Sequence, residues 1–349
     1  MKRTSLLKKE ALSAKNRLPT LLILLVLLPA VFAGATFVFG DVIPRDSPIA
    51  IVPANEDVTD EELEAVDGVL SVFGETSVYK GNYERALERE TYYAVIEVPP
   101  EFAERREGNF VVHVHGAVVP FDEPSKIVVS VLDSSFRAVG TDITVERNVV
   151  GEQKTLSEYL LPVLLFVLIL LLGLTYIPHE LRREKNAVER LRLETSLLSV
   201  ISAKVLFYTT LLAVPLSVFQ AVASYLGYGV TFLSLPSLFF LTVTFVYLAF
   251  IGSAVTVATG FGDVGRFVNA LLLFGVIVFS NIVYPVGFFS SLRRDIALLT
   301  PTHHSALAVR SHATKDVPAT MFADRFVLLV GFTVVTFVAL VVVVRRYES

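Results

Sequence analysis

Few residues in this chain have the type and spacing to do chemistry. His113 and His115 lie two apart in the strand-like stretch "NFVVHVHGAVV". Residues i and i+2 of a strand share a face, and two imidazoles are half of a metal site. The chain has no cysteine, so thiolate ligands, thiol catalysis and disulfides are excluded. No carboxylate accompanies the two histidines in the sequence, and they read as part of a surface strand, with no metal expected. His303, His304 and His312 form a second group, for which proton sensing is the one chemical reading. Glu62 and Asp133 have no partner that would make an acid/base pair, and a G-x-S-x-G nucleophile turn is absent. The chain also lacks G-x-x-x-x-G-K-[ST], and has no Gly-Lys pair anywhere, so it is not expected to bind or hydrolyse ATP itself.

The remaining candidate is "HELRREKNAVERLRLE", His179 to Glu194, in which ten of sixteen residues are charged or histidine. It sits between two long apolar stretches. Leu181, Val188, Leu191 and Leu198 fall on one helical stripe, while Lys185–Glu189 and Arg190–Glu194 are i,i+4 pairs on other faces. The pattern predicts an amphipathic helix over 179–195 that is tied at both ends to membrane spans. A solvated loop that only joins two spans is the alternative. Lys204, about two turns into the following apolar block, reads either as a support for that helix or as an anchor snorkelling to the interface.

The elements that must position these residues are mostly membrane helices. Of 349 residues 53% are hydrophobic, and they come in blocks. Six blocks are long enough to span a bilayer: Pro19–Gly40, Leu156–Ile177, Leu197–Tyr225, Phe232–Ala258, Phe267–Phe289 and Phe326–Val344. The first is too long for a signal-peptide core and reads as a retained span. The basic segment 1–18 before it is either an interfacial helix or a disordered tail. Pro285 and Gly287 are positioned to break the fifth block into a re-entrant turn. Lys and Arg concentrate before the first block, in 179–195 and at Arg345 and Arg346, which places all three, with both termini, in the cytoplasm. The outer side then receives a loop over 290–325 and the long segment 41–155. That segment has 10 basic and 23 acidic residues, a net charge of −13.

Within 41–155 strand and helix patterns alternate. "PIAIVPA", "YYAVIEV" and "NFVVHVHGAVV" read as strands. "VTDEELEAVDGVLSVFG" reads as a helix capped by Thr59 with Glu62 three residues on, its apolar face being Leu63, Val66, Leu70 and Phe73. "PPEFAERREG" reads as a short helix and "EPSKIVVSVLDSSFRAV" as a long one. The expected fold is a polytopic α-helical membrane protein of six transmembrane helices with an inserted extracytoplasmic α/β domain of three to five strands: 1–18, a first span at 19–40, the α/β domain at 41–155, and a five-helix domain at 156–349.

This arrangement resembles the type-2 permeases of ATP-binding-cassette (ABC) transporters. Their charged connection carries a motif close to Glu-x-Gly-Thr-Leu-Glu-x-Leu. Here "EKNAVERL" supplies Glu184, Val188, Glu189 and Leu191, with Asn186 in place of the Gly and Ala187 in place of the Thr. Ala203–Lys204 is similar to the Gly-Lys that follows. "YYAVIEVPPEFAERREG" resembles the family's strand-Pro-Phe-helix stretch through Val95, Pro99 and Phe102. "LLTPTHHSALAVR" resembles its segment before the last span through Pro301, Ala308 and Arg310. The resemblance implies a plasma-membrane permease subunit of an exporter that forms the path as a homodimer or as a heterodimer with a second permease. It implies a separate ABC ATPase that docks on the charged helix, with ATP and Mg bound by that partner and no cofactor on this chain. Members export drugs, lipids, glycans or sodium. A membrane receptor that binds a ligand outside and signals through the inner helix is the competing expectation; nucleic acid is not an expected partner.

Overall fold

The computed structural model describes residues 47–71, 74–100, 102, 107–138, 140–185, 196–315 and 317–349. The first span at 19–40, the segment before it, and Val188, Glu189 and Leu191 lie outside the described residues, as does most of the helix read in "PPEFAERREG".

The sheet has five strands: β1 (Pro48–Pro53), β2 (Glu75–Val78), β3 (Ala94–Val98), β4 (Glu107–His115) and β5 (Asp142–Val150). Their spatial order is β2-β1-β3-β4-β5. All neighbours run parallel except β3 and β4, which are antiparallel. One face carries Ile49, Ile51, Ile96, Phe110, Val112 and Val114 beneath two helices, α1 (Asp60–Leu70) and α3 (Asp122–Ala138). The Thr59–Glu62 capping box forms as the spacing predicts, and α1 buries Leu63, Val66 and Leu70. The other face holds Ala50, Val52 and Val95 against Leu87 of a short helix, α2 (Tyr83–Glu88).

Four described helices are long and apolar enough to cross a membrane: α4 (Leu156–Arg183), α5 (Leu197–Tyr225), α6 (Leu235–Ala258) and the last, Thr320–Glu348. Between α6 and the last lie α7 (Asp263–Phe279), α8 (Ser291–Leu299) and α9 (Pro301–Thr314), and α10 (Ala323–Glu348) is the core of the last. Three boundaries differ from the sequence reading. The block read as Phe267–Phe289 is helical only to Phe279, because Ser280 turns extended and Pro285 and Gly287 follow. Pro215 cannot donate to the carbonyl of Leu211, and α5 breaks there into Leu197–Leu211 and Ala213–Tyr225. His179 to Arg183 belong to α4, which turns only at Glu184, so the charged helix expected to begin at His179 is at first an extension of the span.

α4 begins with a second capping box. Thr155 accepts from the Glu158 N–H, and Glu158 reaches back to the Thr155 N–H at 2.8 Å. The second carboxylate oxygen of Glu158 accepts from the Gly229 N–H, 2.9 Å away, which ties the start of α4 to the loop before α6. Thr155→Ala is expected to cost about 1 kcal/mol, the usual value of a lost N-cap, read as a lowered melting temperature of the purified chain.

Further along, α4 widens into one π turn at Leu172–Tyr176, just before Pro178. Gly173 lies in this turn and Gly252 of α6 faces it: a Cβ added at Gly252 would stand 2.8 Å from the Gly173 carbonyl oxygen. The two helices thus cross backbone to backbone, the close approach that small residues permit in membrane bundles. On the outside, α5 and α10 expose Leu206, Phe207, Val214, Val218, Val334, Val338 and Val342, a surface that suits hydrocarbon.

Candidate functional site

Glu184 and Lys204 lie at one end of α4 and Arg310 at the other, and the two ends are about 42 Å apart at 1.5 Å per residue. At the end away from the sheet, Lys204 of α5 and Glu184, just past α4, form an ion pair at 2.8 Å. The Lys204 side chain is only 13% exposed, so it is paired, and is not reaching into open interface as a lone anchor. Two further bonds tie this end together. Arg182 pairs with Asp263 at the start of α7 at 2.7 Å, and Glu348 of α10 accepts from the Leu197 N–H at 3.0 Å. The ends of α4, α5, α7 and α10 are therefore joined to one another by side-chain bonds.

At the sheet end, Pro301 and Arg310 are not in a loop. The segment 290–325, expected to be an outer loop, folds into α8 and α9, and every residue from Thr302 to Thr314 is buried. Pro301 opens α9, where its missing N–H costs nothing. α9 packs on α4, α6 and α10. Arg310 projects from it to Glu90 in the turn after α2, with Nη2 donating to Oε2 at 2.6 Å and Nε to Oε1 at 3.2 Å. Lys315 donates to the same Oε1 at 3.1 Å. All three side chains are at most 3% exposed.

The cluster holds two cations and one carboxylate. Carbonyl dipoles take up the surplus positive charge. Lys315 donates to the Glu88 carbonyl at 3.0 Å, and Arg310 to that of Asn281 at 3.0 Å. Arg310 also lies over the ring of Tyr159 in α4, whose hydroxyl donates to the Val283 carbonyl. Burial alone would push the Glu90 carboxyl up; the facing Arg310 and Lys315 charges outweigh it and hold it at about 2. Glu90 has a φ of 52°, a left-handed conformation that a glutamate adopts only when its surroundings fix it.

Around this cluster the sheet unit and the helices share one core. Val286, Phe289 and Ala297 pack into the same apolar cluster as the sheet face. Ser47 donates to the Gly287 carbonyl, Arg89 pairs with Asp324 at 2.8 Å, and Arg294 pairs with Glu75. Arg293 donates to the Val278 carbonyl at 3.1 Å, satisfying the broken end of α7.

The five histidines outside α4 are buried. His113 is buried and not on a surface strand. Its Nε2 lies 2.7 Å from Glu97 and its Nδ1 3.0 Å from Asn148, a carboxylate and an amide that neighbouring strands supply. His115 accepts from the Ala117 N–H, and burial, with Lys315 nearby, pushes it down to about 3. His303, His304 and His312 are buried in α9. Among the described residues no three metal-ligating side chains converge.

Sequence reasoning missed Glu90. It is one of three charges in "ERE" at 88–90, and its partner is 220 residues away. Nothing local distinguishes the carboxylate that is buried from its neighbours.

Compared with known proteins, residues 19–342 match a family model described as "ABC-2 family transporter protein". No curated protein and no solved structure matches. The match gives the receptor reading no support.

Proposed function

Because this chain belongs to the ABC-2 family of transporter proteins, whose members are the membrane subunits that work with an ABC ATPase, we propose that it is the permease of an ATP-driven exporter. It sits in the plasma membrane with both termini in the cytoplasm and works as a dimer. The ATPase docks on the segment that includes Val188, Glu189 and Leu191. ATP and Mg belong to that partner, and this chain supplies the path. The α/β unit lies outside the cell, over the outer mouth of the bundle.

The observation that carries this reading is α4. It is one helix from the Thr155 cap to Arg183, joined at one end by Glu184 to Lys204 and at the other by Tyr159 to Arg310. A displacement of 186–195 by the ATPase would reach α5 through the Glu184–Lys204 pair. It would reach the Glu90 cluster through α4. Movement at the nucleotide is thus delivered to the outer mouth by one continuous helix and not by a chain of loops.

The test is copurification with the ATPase from the native membrane. Leu191→Asp puts a charge in the proposed contact stripe and is expected to remove the ATPase while the chain still elutes as a folded species. Unchanged copurification would move the docking surface elsewhere. Lys204→Met is expected to cost less than about 1 kcal/mol of stability, as for partly exposed pairs, yet to lower the ATPase activity measured in the complex. Glu184→Gln added to Lys204→Met should then have little further effect, because both changes remove the same pair.

A further inference from the structure

At the end of the bundle away from the sheet, a cavity of about 380 Å³ opens between α4, the end of α6 and the start of α7. That volume is in the range of small-ligand sites. Leu174 and Ala270 form its apolar wall, and Asn269, which is 1% exposed, lines it too. His179, Arg182 and Arg266 line it as well, and these three stand at the polar ends of their helices. Gly262 lines it too and is the N-cap of α7, a 17-residue helix with no side-chain cap. Arg182 is engaged by Asp263. Arg266 is exposed, its guanidinium lies 5.3 Å from the Phe267 ring, and among the described residues no carboxylate pairs with it.

An apolar wall with a basic rim, set where a membrane helix bundle ends, matches one chemical class. We propose that this cavity binds an anionic phospholipid of the adjacent leaflet, its phosphate at Arg266 and Arg182 and part of an acyl chain along Leu174 and Ala270. Basic pockets between membrane helices recognise anionic headgroups in this way. The ligand stands one turn from Glu184, so it also braces the start of the segment that follows α4. The inference needs only that this end of the bundle meets a bilayer leaflet. It does not depend on export or on the ATPase.

Native mass spectrometry on the full-length chain in detergent tests it, with dioctanoyl phosphatidylglycerol, dioctanoyl phosphatidylcholine and glycerol 3-phosphate as probes. The expected result is one phosphatidylglycerol retained per chain under conditions that strip phosphatidylcholine, with glycerol 3-phosphate failing to compete. Arg266→Gln should weaken retention about fivefold, the usual share of one basic residue at a membrane surface. Arg345→Gln, a basic residue at the end of α10, should leave it unchanged. Ala270→Phe should remove it by filling the wall. Equal retention of the two lipids would overturn the proposal, as would equal losses in the Arg266 and Arg345 variants. Competition by glycerol 3-phosphate would mean a free-phosphate site, and undiminished binding in Ala270→Phe would mean the cavity is not used; either result also overturns it.

Discussion

Glu90→Gln is expected to destabilise the purified chain by about 3–5 kcal/mol, the cost of removing one member of a buried ion cluster. The amide keeps the shape of the side chain but leaves Arg310 and Lys315 facing each other at almost zero exposure. It also removes the reason for Glu90 to hold its left-handed backbone. The effect is read as the melting temperature in detergent. A change of only a degree or two would mean that the cluster is a bystander. A second variant separates charge from packing. Replacing Glu90, Arg310 and Lys315 together with methionine removes every charge while keeping bulk, and should recover most of the loss.

The same carboxylate sets a pH dependence. Its value in the folded chain, about 2, lies below the ordinary 4.5. The stability it contributes is therefore complete above about pH 4.5 and is lost as pH falls toward 2. The wild-type chain should lose melting temperature across that window more steeply than Glu90→Gln, which has no such group to protonate.

Gly252→Val is expected to be comparably damaging, by another route. The new side chain would begin 2.8 Å from the Gly173 carbonyl oxygen and 2.8 Å from Cγ of Pro178. Both belong to the backbone or ring of a helix that cannot swing aside. Overpacking at such a crossing costs about 3 kcal/mol, and here it would push α4 off α6. The expected outcome is a polydisperse, aggregating species on size exclusion. Gly275→Ala and Gly331→Ala are the controls. Nothing lies within 4 Å of a Cβ at either position, and a helical Gly→Ala change should leave stability equal or raised. If Gly252→Val ran as sharply as these two, α4 and α6 would not cross as described.

Much of this architecture could be read from local signals. The apolar blocks at 156, 197, 232 and 326 gave helices because length and hydropathy are properties of the segment itself. Thr59 and Thr155 cap their helices because the Glu three residues on is a local partner. The strands β1, β3 and β4 carry dense β-branched runs. β2, "ETSV", and β5, "DITVERNVV", do not announce themselves, because they are edge strands with polar outward positions. What the sequence hid is the junction. The 290–325 segment reads as a loop because Arg293, Arg294, Arg310 and Lys315 look like solvated charges. Arg293 is matched by the Val278 carbonyl just before the segment, and the other three by carboxylates far away in the chain, at Glu75 and Glu90. In the same way His113 looked exposed for want of a carboxylate, and Glu97 arrives only when β3 pairs with β4. Of the coupling residues, Glu184 and Lys204 are brought together, while Val188, Glu189 and Leu191 lie outside the described residues.

The shared core also dictates an order of events during synthesis. The sheet is encoded by residues 48–150, yet its apolar face is finished by Val286, Phe289 and Ala297, and Glu90 meets its cations only when Arg310 and Lys315 have been made. A nascent chain that has emerged through α6 therefore carries a sheet with part of its face bare and a carboxylate without its counter-charges. Contacts closed across some 220 residues are late ones. The stretch from Val286 to Lys315, with α8 and α9, acts as the latch on a sheet translated well before it.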